Sequence, residues 1–501
     1  MMDAPSITGL VQPAAMVRFT LSPAAAKALA QYALLDVSAT PPRGKNLVED
    51  WFDTPGLTLL RNGAALSLVK ARRGFLQSLR RGEDSITVPI SGPAPDLAAF
   101  PPEQAEPLAA LLQDEPLAPV LTTRIKRLTR QAGAVELHFE TGFIQTAEEK
   151  HPVCELELRG PGAALYRLAL ALQDEHELLL QPVSLLQRGI WATGAARPGA
   201  VKAGPGLAGE ICLDDAVAAL TQSCLTQFSA NWPAFSGGAE VEAVHQMRVA
   251  MRRLRSVLGL FNRAFAAAEF RAFRDEAKRI ANIMGEARNW DVFSALLLEG
   301  PVQAFPHEPG FAALLAQCAA FRATGYEQVR TLLTDPATTR FLLTLEFFLA
   351  RHGWRNGLEA EALTGLTAPA QNFATASLER LHRKVRKRGK HLVRLSAHDR
   401  HLTRIELKKL RYAADLFGGL FEARGRVRAY NRATAELQEE LGLLNDLATA
   451  HDLLGRLDGT TPDKARAIGI VLGWCAHAAS ANDKQLAKSW RDFTGAKLFT
   501  G

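Results

Sequence analysis

Cysteine is scarce in this sequence: Cys154, Cys212, Cys224, Cys318 and Cys475 are the only five in 501 residues. They lie far apart, with no CxxC pair and no histidine at metal-ligand spacing. That spread argues against a disulfide framework and fits a reducing compartment, with the thiols acting as small core residues. Long apolar runs are also missing. The best one near the C-terminus, "AIGIVLGWCAHAA", falls short of the roughly 20 residues that a spanning helix needs. No basic residue precedes Arg18 to open a secretory leader. A cytoplasmic protein without a membrane partner is expected. Acidic charge is in deficit, with 52 Asp and Glu against 59 Lys and Arg, for a formal net charge of +7 and a pI of about 9.2. Such a balance favours anionic partners such as nucleic acid, a phosphorylated polymer or an acidic surface, without choosing among them.

What the chain has in quantity is apolar side chains, 47% of the total, enough to build two or three cores over this length. Its texture changes near residue 200. Before that point, short β-like runs such as "ALSLV" (65–69), "AVELHF" (134–139) and "VCELEL" (153–158) alternate with Gly, Pro and charged turns. Two helices are expected among them, "SPAAAKALAQYAL", with Ser22 as N-cap and Pro23 at the first helical position, and "GAALYRLALALQ". The Gly-, Ala- and Pro-rich segment 194–210 reads as a linker. From 211 onward nearly everything has helical period. The expected class is α+β multidomain: an antiparallel sheet with some helix over 1–193, then an all-α domain over 211–501.

The helical half repeats itself. "HQMRVAMRRLRSVLGLF" (245–261) and "HLTRIELKKLRYAADLF" (401–417) align without a gap at an offset of 401 − 245 = 156 residues. The match pairs His245 with His401, Arg248 with Arg404, Arg252 with Lys408, Arg253 with Lys409 and Arg255 with Arg411. A second echo, "GEARNWDVF" from Gly285 and "GLLNDLATA" from Gly442, pairs Arg288 with Asn445 and Asn289 with Asp446. Two related helical bundles, packed about a pseudo-twofold axis, are the simplest architecture for such a duplication.

At about 100° per residue, His245, Arg248, Arg252 and Arg255 fall within an arc of roughly 80°, beside an apolar face of Met247, Met251, Leu254, Leu258 and Phe261. His401, Arg404, Lys408 and Arg411 make the same stripe beside Leu407, Leu410 and Phe417. A single cationic stripe is ordinarily a solvated helix face. Its recurrence, each time led by a histidine, points instead to one shared positive cavity or channel for an extended polyanion. Arg253 and Lys409 lie off the stripes and read as surface or structural residues. Upstream, residues 380–411 carry thirteen Lys or Arg against Asp399 and Glu406. Lys384, Arg388 and His391 recur at helical spacing, as do Arg383, Lys387 and Arg394. The spacing leaves open which of these two faces meets a ligand, and Lys384 and Arg388 join the candidates.

These four motifs, "VHQMRVAMRRLRSVLGLF", "GEARNWDVF", "LTRIELKKLRYAADLF" and "LGLLNDL", closely resemble the paired signatures of the CHAD family, the conserved histidine α-helical domain, over about 211–490. The resemblance implies two four-helix bundles with internal twofold pseudosymmetry and binding of inorganic polyphosphate. Carried over position by position, the ligand residues would be His245, Arg248, Arg252, Arg255, His401, Arg404, Lys408 and Arg411, with Arg288 beside them. It also implies association with polyphosphate granules.

The first 190 residues look like a worn CYTH domain, the triphosphate tunnel fold, which implies that the antiparallel sheet closes into a tunnel-like β-barrel with helices. "WFDTPGLTLLRNGAALSLVKARRGFLQSLRR" is similar to that family's "FDTP…L…AL…R" region, and "TTRIKR" and "CELELRG" fall where later tunnel strands stand. The family's metal-binding ExExK is absent, its counterparts being Ala14, Met16 and Arg18. Ser67 and Val69 replace inward arginines, and Leu185 replaces a late lysine. Glu155 and Glu157 survive on one side of a strand, with Arg80, Arg124, Arg127 and Arg188 as residual phosphate contacts. A triphosphatase needs Mg²⁺ or Mn²⁺ held by several carboxylates, so no catalytic residues, metal or cofactor are expected. The leading expectation is a noncatalytic polyphosphate-binding protein of the cytoplasm, located at granules. The alternative is a metal-dependent triphosphatase using Glu155 and Glu157 with Glu136 or Glu49. Nucleic-acid binding ranks third, because the stripes lack interleaved aromatics for base stacking.

Overall fold

The computed structural model describes residues 15–31, 43–81, 84–194, 199–265, 267–481 and 483–500, and it divides into two compact units, the described residues up to Gly199 with Ser236–Gly238, and the rest from Ala200 onward. Ala14, the first ExExK counterpart, and residues 195–198 of the linker segment lie outside the described residues.

The first unit runs β1 Ala15–Thr20, α1 Pro23–Gln31, β2 Arg43–Asp53, α2 Thr58–Arg61, β3 Ala64–Lys70, β4 Phe75–Arg81 and β5 Asp84–Ile90, then α3 Pro102–Leu112, β6 Ala118–Ala132, β7 Val135–Gln145, β8 Lys150–Gly160, α4 Gly162–His176, β9 Leu179–Leu180 and α5 Leu185–Ala192. The nine strands form one sheet in the order β5-β4-β3-β2-β6-β7-β8-β1-β9, with antiparallel pairing throughout. This is the antiparallel sheet unit that the alternating runs predict. Ser22 caps α1 as expected, its Oγ accepting from the Ala25 amide at 3.1 Å. Gly133, at φ +59°, supplies the left-handed residue that folds β6 back onto β7.

Strand alternation sorts this sheet into two chemistries. Phe19, Leu137, Phe139, Leu156 and Leu158 are buried on one face of β1, β7 and β8, and α1 and α4 pack against the same three strands. The opposite face carries charge in register. One row across β6, β7, β8 and β1 reads Arg127, Glu140, Glu155, Thr20, and the next reads Thr129, His138, Glu157, Arg18. Helix α5 closes over this face through Ile190, which packs with Trp51, Leu121, Ile125, Ile144 and Val153.

The second unit is helical: α6 Leu213–Ser236, α7 Glu240–Phe265, α8 Ala268–Glu299, α9 Pro301–Ala304, α10 Gly310–Leu333, α11 Pro336–Ala350, α12 Ala360–Gly365, α13 Ala370–Arg388, α14 Ala397–Phe417, α15 Arg424–Leu454, α16 Pro462–Ala481 and α17 Asp483–Gly495. The order α6-α7-α8-α10 recurs as α13-α14-α15-α16. Starting residues 268 and 424 of α8 and α15 differ by 424 − 268 = 156, the same offset as the sequence repeat. Equivalent helices meet, α7 against α14 and α8 against α15, as an axis between the repeats requires. One apolar core spans both copies: Trp290, Phe293, Phe311 and Leu314 from the first pack with Leu447, Leu453, Ala467 and Val471 from the second.

Composition reads 194–210 as a free tether, but its second half is strapped to the helices. Asn231 holds Val201 through two bonds, accepting from its amide at 2.9 Å and donating to its carbonyl at 2.8 Å, and the Leu207 amide donates to the Leu416 carbonyl at 2.8 Å. The small residues serve close approach here. A Cβ on Gly206 would stand 2.4 Å from the Asp415 carbonyl oxygen.

Candidate functional site

On α7 the apolar face is drawn inward as its period predicts: Val244, Met247, Met251, Leu254, Leu258 and Phe261 are fully buried. Phe261 stacks on Phe373 of α13, which meets Phe417 of α14 edge-on. That packing sets the rotation of α7 and α14, and with it the direction of the adjacent stripes. His245, Arg248, Arg252, Arg255, Arg404, Lys408 and Arg411 are all half-buried, and His401 is exposed. Long cationic stems can lie along apolar surface while their charged ends reach toward solvent.

Contact of α7 with α14 brings the two stripes together. Lys408 feels Arg252, Arg404 and Arg248, with Asp446 of α15 as the carboxylate in its surroundings. Arg248 feels Arg252, Arg288, Arg404 and the phenol of Tyr412. Burial, then these like charges, pushes Lys408 down to about 6 and Arg248 down to about 10. Arg404 is lowered by burial and by Arg252, against Asp446. His245 is lowered by burial and by Arg288. The cluster is also short of acceptors: Arg248 Nε, Arg404 Nε and His245 Nδ1 are buried without a hydrogen-bond partner. A buried donor without a partner costs free energy that an incoming acceptor would recover.

The second motif of each copy faces the histidine of that copy. Arg288 acts on His245, and its counterpart Asn445 lies with Oδ1 3.1 Å from His401 Nδ1. The copies differ in charge there, with Arg288 and Asn289 in the first and Asn445 and Asp446 in the second. Arg288 is held only loosely, 3.9 Å from Asp291, whose carboxylate also takes Arg322 at 2.6 Å and the Tyr326 hydroxyl at 2.8 Å.

Three groups escaped the sequence reading. Gly285 lets the Arg248 guanidinium lie against α8, since a Cβ there would stand 3.2 Å from Arg248 Nε. Arg274 of α8 lies beside Arg255 and extends the cationic path, and its own Nε is buried without a partner. Tyr412 places an aromatic ring in a cluster expected to have none. Its signal was present in the sequence, one turn after Lys408, where the first copy has Ser256.

Other candidates fall elsewhere. Lys384 Nζ lies 3.0 Å from Glu406, which also accepts from Lys409 at 2.9 Å. Glu406 is roughly 140° around α14 from His401 at 100° per residue, on the side away from Arg404, Lys408 and Arg411. Lys384 therefore does not join the stripes, and Arg388, one turn on at the exposed end of α13, does not either. His391 is not in register with them, because α13 ends before Gly389 and His391 has φ +63°. Arg411 has Asp415 at 3.7 Å. Arg253 is buried and structural, donating to Gln227 Oε1 at 2.7 Å; Gln227 in turn donates to Gln246 at 3.0 Å.

In the sheet unit the surviving glutamates are fully buried and ion-paired, although neither oxygen of Glu155 makes a hydrogen bond. Arg18 lies 2.5 Å from Glu157 and 3.5 Å from Glu155, Arg159 donates to Glu157 at 2.6 Å, and Arg188 of α5 pairs with Glu155. Arg127 donates to Glu140 at 2.8 Å. Burial raises Glu155 against Arg188 and Arg18. At Glu157 burial acts in the same sense but is overcome by the bond from His138 and by Arg18 and Arg159, so its carboxyl lies well below the usual range. Of the other acids, Glu136 is held by His138 at 2.6 Å, and Glu49 by Ser67 at 2.8 Å and Arg80 at 3.1 Å. Arg124 is exposed. Among the described residues, no three His, Cys, Asp or Glu side chains are grouped to hold a metal. Arginines occupy the faces of Glu155 and Glu157 that a divalent cation would need, so this donor set does not fit one.

Comparisons with known proteins agree with the helical geometry. The CHAD domain family matches residues 219–455. The solved CHAD domain from the plant Ricinus communis is 28% identical, with a TM-score of 0.50, over 60% of this chain and 97% of that one. An uncharacterized protein of Mycobacterium tuberculosis (strain CDC 1551 / Oshkosh), MT2285, is 28% identical over 290 residues, 52% of this chain; the chain spans about half of that relative, 54%. A proposed adenylate cyclase from Bacillus halodurans aligns over 35% of this chain and 96% of its own at 15% identity, with a TM-score of 0.27. Among the described residues, no helix is long and apolar enough to cross a membrane. With both cationic stripes gathered between its two repeats, the segment from residue 219 to residue 455 is a CHAD domain.

Proposed function

We propose that the helical unit binds inorganic polyphosphate, without hydrolysing it, along the seam between α7 and α14, and that this binding attaches the protein to polyphosphate granules. One observation carries the reading: Arg248, Arg252, Arg404 and Lys408, from two separate repeats, converge on one half-buried seam with unpartnered nitrogens. A polymer with a negative charge on every unit supplies both the countercharge and the acceptors. The sheet unit, a worn tunnel in this reading, acts as scaffold, because Arg18 and Arg188 are ion-paired with its surviving glutamates.

Titration with long-chain polyphosphate at rising salt tests this. Binding is expected at low salt, with affinity falling steeply as salt rises, since each neutralised phosphate releases counterions. Absence of binding at low salt, or duplex DNA displacing polyphosphate at equal phosphate concentration, would count against it. Phosphate release from tripolyphosphate with Mg²⁺ or Mn²⁺, abolished by Glu155→Gln with Glu157→Gln, would restore the enzyme alternative.

Gly285→Ala gives a finer check. The added methyl displaces the Arg248 guanidinium without removing its charge, while Ala favours the helix over Gly by roughly 0.5–1 kcal/mol. Affinity is expected to drop several-fold with thermal stability held or raised. Unchanged affinity would place Arg248 outside the contact.

A further inference from the structure

We propose that polyanion binding at the α7–α14 seam takes up a proton from solvent, with Lys408 as the group that receives it. The inference rests on the polyphosphate reading of the seam. In the free protein at neutral pH the Lys408 side chain is then a neutral amine; the ligand's charge converts it to ammonium, and buffer supplies the proton.

The cations of the cluster differ in their ability to shed charge. Arg248, Arg252, Arg288 and Arg404 are guanidiniums, which stay protonated in proteins, whereas a buried lysine amine gives up its proton readily. Lys408 is thus the member that can relieve the repulsion when no ligand is present. The groups facing it from each neighbouring element agree. Helix α7 presents Arg248 and Arg252, α14 itself presents Arg404, and α15 offers Asp446 as the opposing carboxylate. Helix α13 packs on the other side of α14, where Glu406 is engaged by Lys384 and Lys409. One acid against three cations leaves the balance on the side of the neutral amine, in line with a Lys408 held down to about 6. His245, lowered by burial and by Arg288, would take up a smaller share in the same sense.

The sign follows from linkage. A group that binds a proton more tightly in the complex makes the complex stronger as pH falls through the interval between its free and bound values. Affinity should therefore decline by up to about tenfold per pH unit, for one proton, as pH rises through neutrality. It should level off below the free value. Interior phosphates of a long chain are strong acids, so the ligand contributes protons only at its ends.

Calorimetric titration of the full chain with long-chain polyphosphate at pH 7, in two phosphate-free buffers of low and high ionisation enthalpy, reads the uptake directly. The expected result is a buffer-dependent heat corresponding to nearly one proton per seam, and Lys408→Arg should bind with most of that uptake lost. Tight binding with the same heat in both buffers would overturn the inference and leave the polyphosphate reading standing. So would full uptake in Lys408→Arg, which would assign the proton elsewhere. No binding in either buffer at low salt would remove both. The wild-type buffer comparison tests the uptake itself even if the variant folds poorly.

Discussion

A protein carrying Arg252→Met and Lys408→Met is expected to bind long-chain polyphosphate at least a hundredfold more weakly than the wild type and to melt at a higher temperature. The two effects have one cause. Arg252 and Lys408 are half-buried beside further cations, with Asp446 as the acid among them. In the free protein Arg252 adds repulsion and desolvation, and Lys408 must give up its proton to lessen them, so an apolar stem of similar length at both positions should relieve the fold. In the complex each supplies a charge-assisted contact worth about 1.5–3 kcal/mol. Losing two therefore costs about 3 kcal/mol or more, roughly a hundredfold in affinity. Opposed changes in binding and stability are common at functional sites. Weaker binding with a lower melting temperature would mean that these cations hold the bundles together; unchanged binding would exclude the seam.

The largest effect on stability is expected in the other unit. Arg18→Met leaves Glu157 with Arg159 and His138 but strips its closest buried partner, and Glu155 keeps only Arg188. Breaking one side of a buried ion pair typically costs about 3–5 kcal/mol, because the abandoned charge remains desolvated. Denaturant unfolding of the variant should show the loss. Adding Glu157→Gln should recover much of it, since the uncompensated charge is then gone. If Arg18→Met unfolds at the same denaturant concentration as the wild type, the network is not a structural element.

The pH dependence of the wild-type sheet unit bears on the same point. The folded carboxyl of Glu157 lies below its ordinary value. Its contribution to stability is therefore present above the unfolded carboxylate range and is lost as pH falls toward the lower folded value. Acid should weaken this unit through Glu157, an effect that Glu157→Gln should blunt.

Much of this protein is determined by its sequence alone. The switch from period 2 to period 3.6 near residue 200 separates a sheet unit from a helical one, since each period can bury only one kind of face. The 156-residue offset fixes the helix repeat, and the apolar positions of α7 reappear as its buried face because helical geometry leaves them no other choice. Sequence also places Glu155 and Glu157 on one side of their strand, as two-residue alternation requires.

Tertiary structure alone decided what those residues meet. Lys384 and Arg404 look alike along the chain, but packing turns Lys384 toward Glu406 and Arg404 toward Arg252. Arg18 and Glu157 are 139 positions apart, and only the β1–β8 register makes them a pair. Gly285 and Arg274 had no local mark of function, because their part in the cluster depends on which helix faces which. Periodicity says which side of an element is buried. The partner on that side is fixed by long-range packing, which no local pattern encodes.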